Sequence, residues 1–413
     1  MLFLAIDDLN DWVGYLGGHP QAITPNLDRL AAASSSFQRA YCNAPLCGPS
    51  RASALTGLYP YRTGIFDHSR TQIPRALPDL PRHFERNGYE TLVMGKVYHS
   101  FTSFENPLPP VFPVTNVQCS GYPVLPAAGI FDWAALDVAD EVTADVQITA
   151  AGQTFLDAPR AAPFFLALGY IRTHVPWYVP KRYFDLYDEA NLWIPQPPAD
   201  DWSDLPKIAR DIAYFQNQHA CITGQNLWRS AVRGYLASIS FVDAQIGKIL
   251  AALDRSRHAD NTIVVLWSDN GFHLGEKFHW HKQSLWEESA RVPFLIRRPG
   301  RAGARIDRDV SLVDMFPTLS QLCGVPRPAE LHGHSLLPLM DNPGMPWDHP
   351  VLTTYLRNHH AIRQGRWCYI RYDDGTEELY DRLTDGDQLS NLAADPRWRD
   401  VKLQLGSLMP APV

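Results

Sequence analysis

The chain has 413 residues, 45% of them hydrophobic and 20% charged, which supplies apolar material for one large domain, with or without a small one. Its 37 basic and 44 acidic residues give a net charge of −7, so bulk charge offers no reason to expect nucleic acid as a partner. A local basic pocket for a small anion remains compatible with that balance, and no run approaches the roughly 18 apolar residues of a membrane span.

The sequence opens on Leu2–Ile6, a continuous apolar run that ends at Asp7-Asp8. This is a buried-strand pattern, without the charged n-region and cleavage site of a leader. Compartment stays open on this reading: cytoplasmic, or periplasmic or secreted if a leader was removed. Thr24-Pro25, followed by Leu27, Leu30 and Ala31, predicts a helix with proline in its first turn. A second apolar run, 90–94, leads into Gly95-Lys96, with His99 just beyond. A Pro-rich stretch at 107–126 predicts a long irregular loop, as does 193–206. Between them, the run 163–170 leads into Arg172-Thr173-His174. Leu236, Ile239, Val242, Ile246, Ile249, Leu250 and Leu253 recur at helical spacing. That helix feeds the run 261–267, which ends at Ser268-Asp269-Asn270. A further helix is expected over 313–322, stopping near Gly324.

The Pro-, Gly- and Asn-containing stretch 341–350 marks a break. Beyond it, 367–372, Asp374-Gly375 and Glu378-Leu379-Tyr380 predict a strand, a turn and a strand. Residues 345–413 are therefore expected to form a small antiparallel subdomain with a closing helix, and residues 1–344 the catalytic domain. Apolar runs without alternation, separated by helices, predict an α/β fold: a mostly parallel sheet with helices on both faces. The six cysteines are scattered, with no Cys-x-x-Cys pair, and all but Cys47 are expected to be mostly buried free thiols.

In open α/β sheets ligands bind beyond the carboxyl ends of the strands. Asp7 and Asp8, Lys96 and His99, His174, and Asp269 and Asn270 each follow a different predicted strand, so they should converge on one edge. Three carboxylates and an amide oxygen form a hard donor set suited to Ca²⁺ or Mg²⁺. Taken alone, Asp7-Asp8 would read first as a cap, Lys96 and Lys282 as surface charges, and His99 and His174 could be satisfied core histidines; the second acidic strand end makes the metal reading the better one. Asp67, His68, Arg172 and Trp177 lie near the predicted site in sequence and are the candidate substrate-pocket residues. His279 and His281 flank Lys282 and carry no assignment.

Cys47 lies in Pro45-Leu46-Cys47-Gly48-Pro49-Ser50-Arg51-Ala52-Ser53-Ala54-Leu55-Thr56-Gly57. Cys-x-Pro-x-Arg is short enough to occur by chance, whereas the longer run with Leu-Thr-Gly behind it is far more specific. It resembles the signature of the formylglycine-dependent sulfatases of the alkaline phosphatase superfamily, in which a maturation enzyme oxidises that cysteine to an aldehyde. The Asp-Asp strand end, Thr173-His174-Val175-Pro176, Ser268-Asp269-Asn270-Gly271, His281-Lys282, Glu378-Leu379-Tyr380-Asp381 and Asn391-Leu392 have counterparts in the same order. Gly95-Lys96-Val97-Tyr98-His99 and Phe131-Asp132-Trp133 bring it nearest to the iduronate-2-sulfatase-like group.

The resemblance implies an alkaline-phosphatase-like sheet and hydrolysis of a sulfated carbohydrate or small organosulfate. It implies a metal held by Asp7, Asp8, Asp269, Asn270 and the hydrated aldehyde at 47, whose other roles fall to nearby residues. Arg51 would hold the diol, Lys96 and Lys282 would face the sulfuryl oxygens, His174 would protonate the leaving alcohol, and His99 would take the proton of the second hydroxyl. Asn270 stands where some relatives carry histidine. The rival readings are a phosphodiesterase or phosphonate monoester hydrolase of the same superfamily, and an unmatured protein that captures sulfated glycans.

Overall fold

The computed structural model describes residues 1–99, 131–214 and 217–411, so the loop expected at 107–126 lies outside the described residues. The main sheet has seven strands: β1 Leu2–Ile6, β2 Ser35–Tyr41, β3 Glu90–Gly95, β4 Phe164–Tyr170, β5 Val264–Ser268, β6 Phe294–Arg297 and β7 Ala304–Ser311. Their order is β7-β2-β6-β5-β1-β4-β3. β1 pairs in parallel with β4 and β5, β3 with β4, and β2 with β7, whereas β6 is antiparallel to both its neighbours. The fold is the α/β class expected, a mostly parallel sheet flanked by helices, with one reversed strand.

Period-two alternation explains how both faces are covered. Leu2, Leu4 and Ile6 join Leu166, Leu168 and Leu266 against helices α1 (Pro25–Ala32), α3 (Ala144–Asp157) and α4 (Trp228–Arg255). Phe3 and Ala5 join Phe165, Val265 and Trp267 against α2 (Cys47–Thr56) and α5 (Met315–Leu322). Each such leucine, isoleucine, valine or phenylalanine removed from water contributes about 1.5–3 kcal/mol. By length and composition α4 could cross a membrane, with a mean hydropathy of 1.5 over its most apolar window, but 83% of that window is packed inside the protein.

Strand register then sets the site. Ile6 pairs with both Tyr170 and Ser268, so three strands end level and the polar residues after them emerge together. At the next pair, Gly95 opposes Gly169. A Cβ on Gly169 would stand 2.1 Å from the Lys96 carbonyl carbon, so only glycine lets the chain turn there.

The C-terminal part forms an antiparallel sheet of β8 Val351–Tyr355, β9 His359–Gln364, β10 Trp367–Arg371 and β11 Glu377–Asp381, in that order. The closing helix α6, Arg399–Gly406, sets Leu405 against Leu352, Ile362, Tyr369 and Leu379. The expected strand, turn and strand are β10 and β11, and the segment 193–206 is irregular as read. One cysteine expectation needs correction: Cys221 is disulfide-bonded, while Cys42, Cys47, Cys323 and Cys368 are free.

Candidate active site

β2 delivers the chain through Cys42 and Asn43 to Leu46, extended backbone that ends at the first residue of α2, Cys47. No side chain caps that helix, so its first amides present partial positive charge toward the strand ends. Arg51 follows Cys47 by one turn and so shares its face. Cys47 is fully buried, with its Sγ 2.8 Å from Lys282 Nζ and 3.5 Å from Asp8 Oδ1.

Around it three carboxylates meet three cations. Arg51 Nε donates to Asp269 Oδ2 at 2.7 Å and its Nη2 to Asp7 Oδ1 at 3.0 Å. Its Nη1 donates to the carbonyls of Lys96 and Val97. Lys96 Nζ is paired with Asp7, and Lys282 Nζ with Asp8 at 2.5 and 2.7 Å. Ligand atoms of Asp7, Asp8, Cys47 and Asp269 all lie within 4.8 Å of one another. Asn270 Nδ2 donates to Asp8 Oδ1 at 2.8 Å, while its Oδ1 is buried without a hydrogen-bond partner. A buried carbonyl oxygen left over beside three carboxylates is what a hard divalent cation needs, so the residues present fit Ca²⁺ or Mg²⁺.

The titration pattern reflects crowding. Burial pushes Asp7 up, but Lys96, His174, Arg51 and Lys282 together hold it well below the ordinary carboxylate range. Burial also raises Asp8, and Lys282 and His174 outweigh it. Asp269 goes the other way, to about 7, because burial and the two other aspartates exceed the pull of Arg51. Burial, then Asp7, lifts the Cys47 thiol well above its usual value. As encoded, residue 47 is a neutral thiol and a poor nucleophile.

His174 stands beside the cluster, with Nε2 3.9 Å from Asp8 Oδ2 and Nδ1 2.6 Å from the Val175 carbonyl. Burial, Lys96 and Lys282 lower it to about 4. On the other side of Cys47, His99 stacks on His68 with ring centroids 4.2 Å apart, and a nitrogen of each lies within 4.8 Å of Sγ. Burial and His68 lower His99 to about 3. The structure thus gathers Asp7, Asp8, Cys47, Arg51, Lys96, His99, His174, Asp269, Asn270, Lys282 and His68.

Of the other substrate candidates, Trp177 lies in the core, whereas Asp67 and Arg172 stay near the site but are engaged with their own loops. Trp177, expected in the pocket, is fully buried in an aromatic cluster with Trp133, Tyr235 and Phe272. Its indole donates to the Thr173 carbonyl at 2.7 Å, bracing the His174 loop from behind. Asp67 accepts from the amide and hydroxyl of Ser69, closing its own turn. Arg172 donates to the carbonyls of Tyr178 and His174, both at 3.3 Å. His279 sets its ring nitrogens on the Ala213 and Lys282 carbonyls, a structural role.

Sequence reasoning missed the supports. Asp145 on α3 takes the amides of Ile171 and Arg172 at 2.7 and 3.1 Å. Tyr235 on α4 donates to the Asp8 carbonyl at 2.8 Å. Thr173 donates through both its amide and its hydroxyl to the Asp7 carbonyl. Asp145 and Tyr235 sit inside helical patterns that carry no chemical signal, whereas Thr173 lay in a stretch already singled out for its neighbour His174.

The family model described as Sulfatase matches residues 1–325. The chain belongs to the sulfatase family. A second model, N-sulphoglucosamine sulphohydrolase, C-terminal, matches residues 275–411. A sulfatase of Formosa agariphila is 35% identical, covering 99% of this chain and 86% of its own. Iduronate 2-sulfatase of Mus musculus is 31% identical, covering 79% and 69%. Among solved structures, a phosphonate monoester hydrolase of Agrobacterium radiobacter has a TM-score of 0.82 at 22% identity, covering 98% of this chain and 94% of its own, a likeness of fold. This sulfatase is a sulfuric ester hydrolase. Its dependence on the close approach of β3 and β4 is testable: Gly169→Ala should displace the Lys96 backbone and lower kcat on an aryl sulfate by about 10²-fold. Unchanged kcat would show that Lys96 needs no such placement.

Proposed function

We propose that this sulfatase cleaves sulfate esters of carbohydrates or small alcohols after Cys47 has been converted to formylglycine by a maturation enzyme, with Ca²⁺ or Mg²⁺ at Asp7, Asp8, Asp269 and Asn270. The observation that carries this reading is the meeting of four hard oxygen donors and three buried cations at Cys47. The cation supplies charge for the sulfuryl oxygens, and the modified side chain supplies the attacking oxygen.

The chain's own residues do the rest. Arg51, clamped by Asp7 and Asp269, fixes the start of α2 and holds residue 47 in line. Lys96 and Lys282 reach the same point from opposite carboxylates and balance the charge of the transferring group. His174, with Nδ1 turned to the Val175 carbonyl, keeps Nε2 toward the site, where an arriving anion raises its proton affinity and lets it protonate the leaving alcohol. His99 is placed to take a proton from residue 47. The same reading divides the chain into a catalytic unit over 1–344 and a C-terminal unit over 345–413, whose sheet starts at Val351.

Two measurements test it. The mass of the peptide carrying residue 47, from protein made in its native host, should be that of formylglycine; an unmodified thiol refutes the proposal. Chelation should abolish turnover and lower Tm, and Ca²⁺ or Mg²⁺ should restore both, because a ligand bound only by the folded state stabilises it. The fold it shares with a phosphonate monoester hydrolase keeps one other reading in view. A higher kcat/KM on a phosphonate monoester than on an aryl sulfate would favour that reading.

A further inference from the structure

The C-terminal sheet reaches the rim of the site. β8 is sewn to the segment before Cys47: Thr353 Oγ1 donates to the Cys42 carbonyl at 2.8 Å, and the Thr354 amide to the Asn43 carbonyl at 2.9 Å. Asn43 Nδ2 returns a bond to the Leu352 carbonyl at 3.0 Å. The short turn between β8 and β9 is therefore fixed beside the same rim, and its middle residue is Arg357.

The Arg357 guanidinium lies over the Phe66 ring, 4.9 Å from its centroid. Phe66 is followed by Asp67 and by His68, which packs 3.1 Å from where a Cβ would stand on Gly48 and has a ring nitrogen within 4.8 Å of Cys47 Sγ. Asp67 feels the charge of Arg357, but its Oδ1 is turned to Ser69 and the two form no ion pair. Among the described residues Arg357 makes no hydrogen bond and no ion pair. A ring holds its plane in place and leaves its five N–H donors outward. Such a fork matches a carboxylate or sulfate in two parallel bonds.

Resting on the reading that the scissile ester sits at Cys47, the geometry points to Arg357 as a specificity-determining residue: it binds a second anionic group, carboxylate or sulfate, on the alcohol portion of the substrate. The matured enzyme then prefers a doubly anionic ester over a neutral sugar carrying one sulfate.

The test compares kcat/KM of wild type, Arg357→Ala and Arg357→Lys on three probes. These are a neutral hexose monosulfate, a hexuronate monosulfate and a hexose disulfate. The wild type should favour at least one anionic probe over the neutral one by tenfold or more. Arg357→Ala should collapse that ratio at least tenfold, chiefly through KM, with Arg357→Lys in between. Preference for the hexuronate identifies a carboxylate, and preference for the disulfate identifies a sulfate. An equal rate on all three probes, or a ratio unmoved by Arg357→Ala, overturns the role of Arg357 alone. A wild type that cleaves none of the three but cleaves a phosphonate monoester overturns the underlying reading.

Discussion

Cys47→Ala is expected to lower kcat/KM on an aryl sulfate by at least about 10⁴-fold, the scale on which loss of a nucleophile acts. The fold should survive. The side chain at 47, as encoded, touches Lys282 and Asp8, and these two remain paired with each other whatever small group stands there. Alanine is also compatible with the first turn of α2. Tm is therefore expected to stay within a few degrees, so the loss can be read as chemistry. The same cannot be said of Arg51→Ala, which would strip Asp7 and Asp269 of a shared, fully buried partner. Removing one member of such a cluster costs about 3–5 kcal/mol and confounds activity with folding. Turnover near wild type in Cys47→Ala, measured on protein of confirmed mass, would refute the nucleophile assignment.

The strands legible in the sequence were those with an unbroken apolar run. β1, β4 and β5 are almost wholly apolar, β3 has an apolar middle, and each leads within a few residues into polar residues of the candidate site. β2, β6 and β7 gave no such signal. β2 reads Ser-Ser-Phe-Gln-Arg-Ala-Tyr, yet Ser35, Ser36 and Gln38 are buried because the strand is sandwiched in the sheet. β6 is only four residues long, and β7 carries arginines and aspartates as an edge strand can. The cost of missing β2 was the path that brings Cys47 to the other strand ends. The cost of missing β8 and β9 was Arg357. Trp177 was misplaced for a different reason: closeness in sequence to His174 says nothing of which way a strand residue faces, and it faces the core.

The second large effect concerns how that C-terminal sheet is attached. Arg363 on β9 is fully buried. Its Nε pairs with Glu287 at 2.7 Å, its Nη2 donates to the Leu285 carbonyl at 2.5 Å, and it lies over the Tyr41 ring at 4.7 Å. Tyr41, at the end of β2, donates to Glu287 Oε2 at 3.0 Å, and Arg382 joins Tyr41 to Asp309 of β7. One buried network thus clamps β9 and the end of β11 onto the main sheet. Arg363→Met should cost about 3 kcal/mol, since it leaves the half-buried Glu287 with the Tyr41 hydroxyl and, as its nearest cation, Arg382 at 3.9 Å. Acid should erase part of that difference. Burial pushes Glu287 up, but Arg363 and Arg382 pull it from 4.5 to about 2. A depressed carboxylate stabilises fully above its unfolded value and loses that stability as pH falls through its folded value. Between about pH 5 and pH 2 the wild type should therefore lose stability more steeply than Arg363→Met, by part of the roughly 3 kcal/mol that the whole shift represents, since Arg382 still pulls on Glu287 in the variant. Urea unfolding of both proteins at several pH values measures it, and parallel curves would show that the pair contributes nothing to the attachment. A clamp of this strength matters for function as well as stability, because the sheet it holds is the one that positions Arg357 beside Phe66.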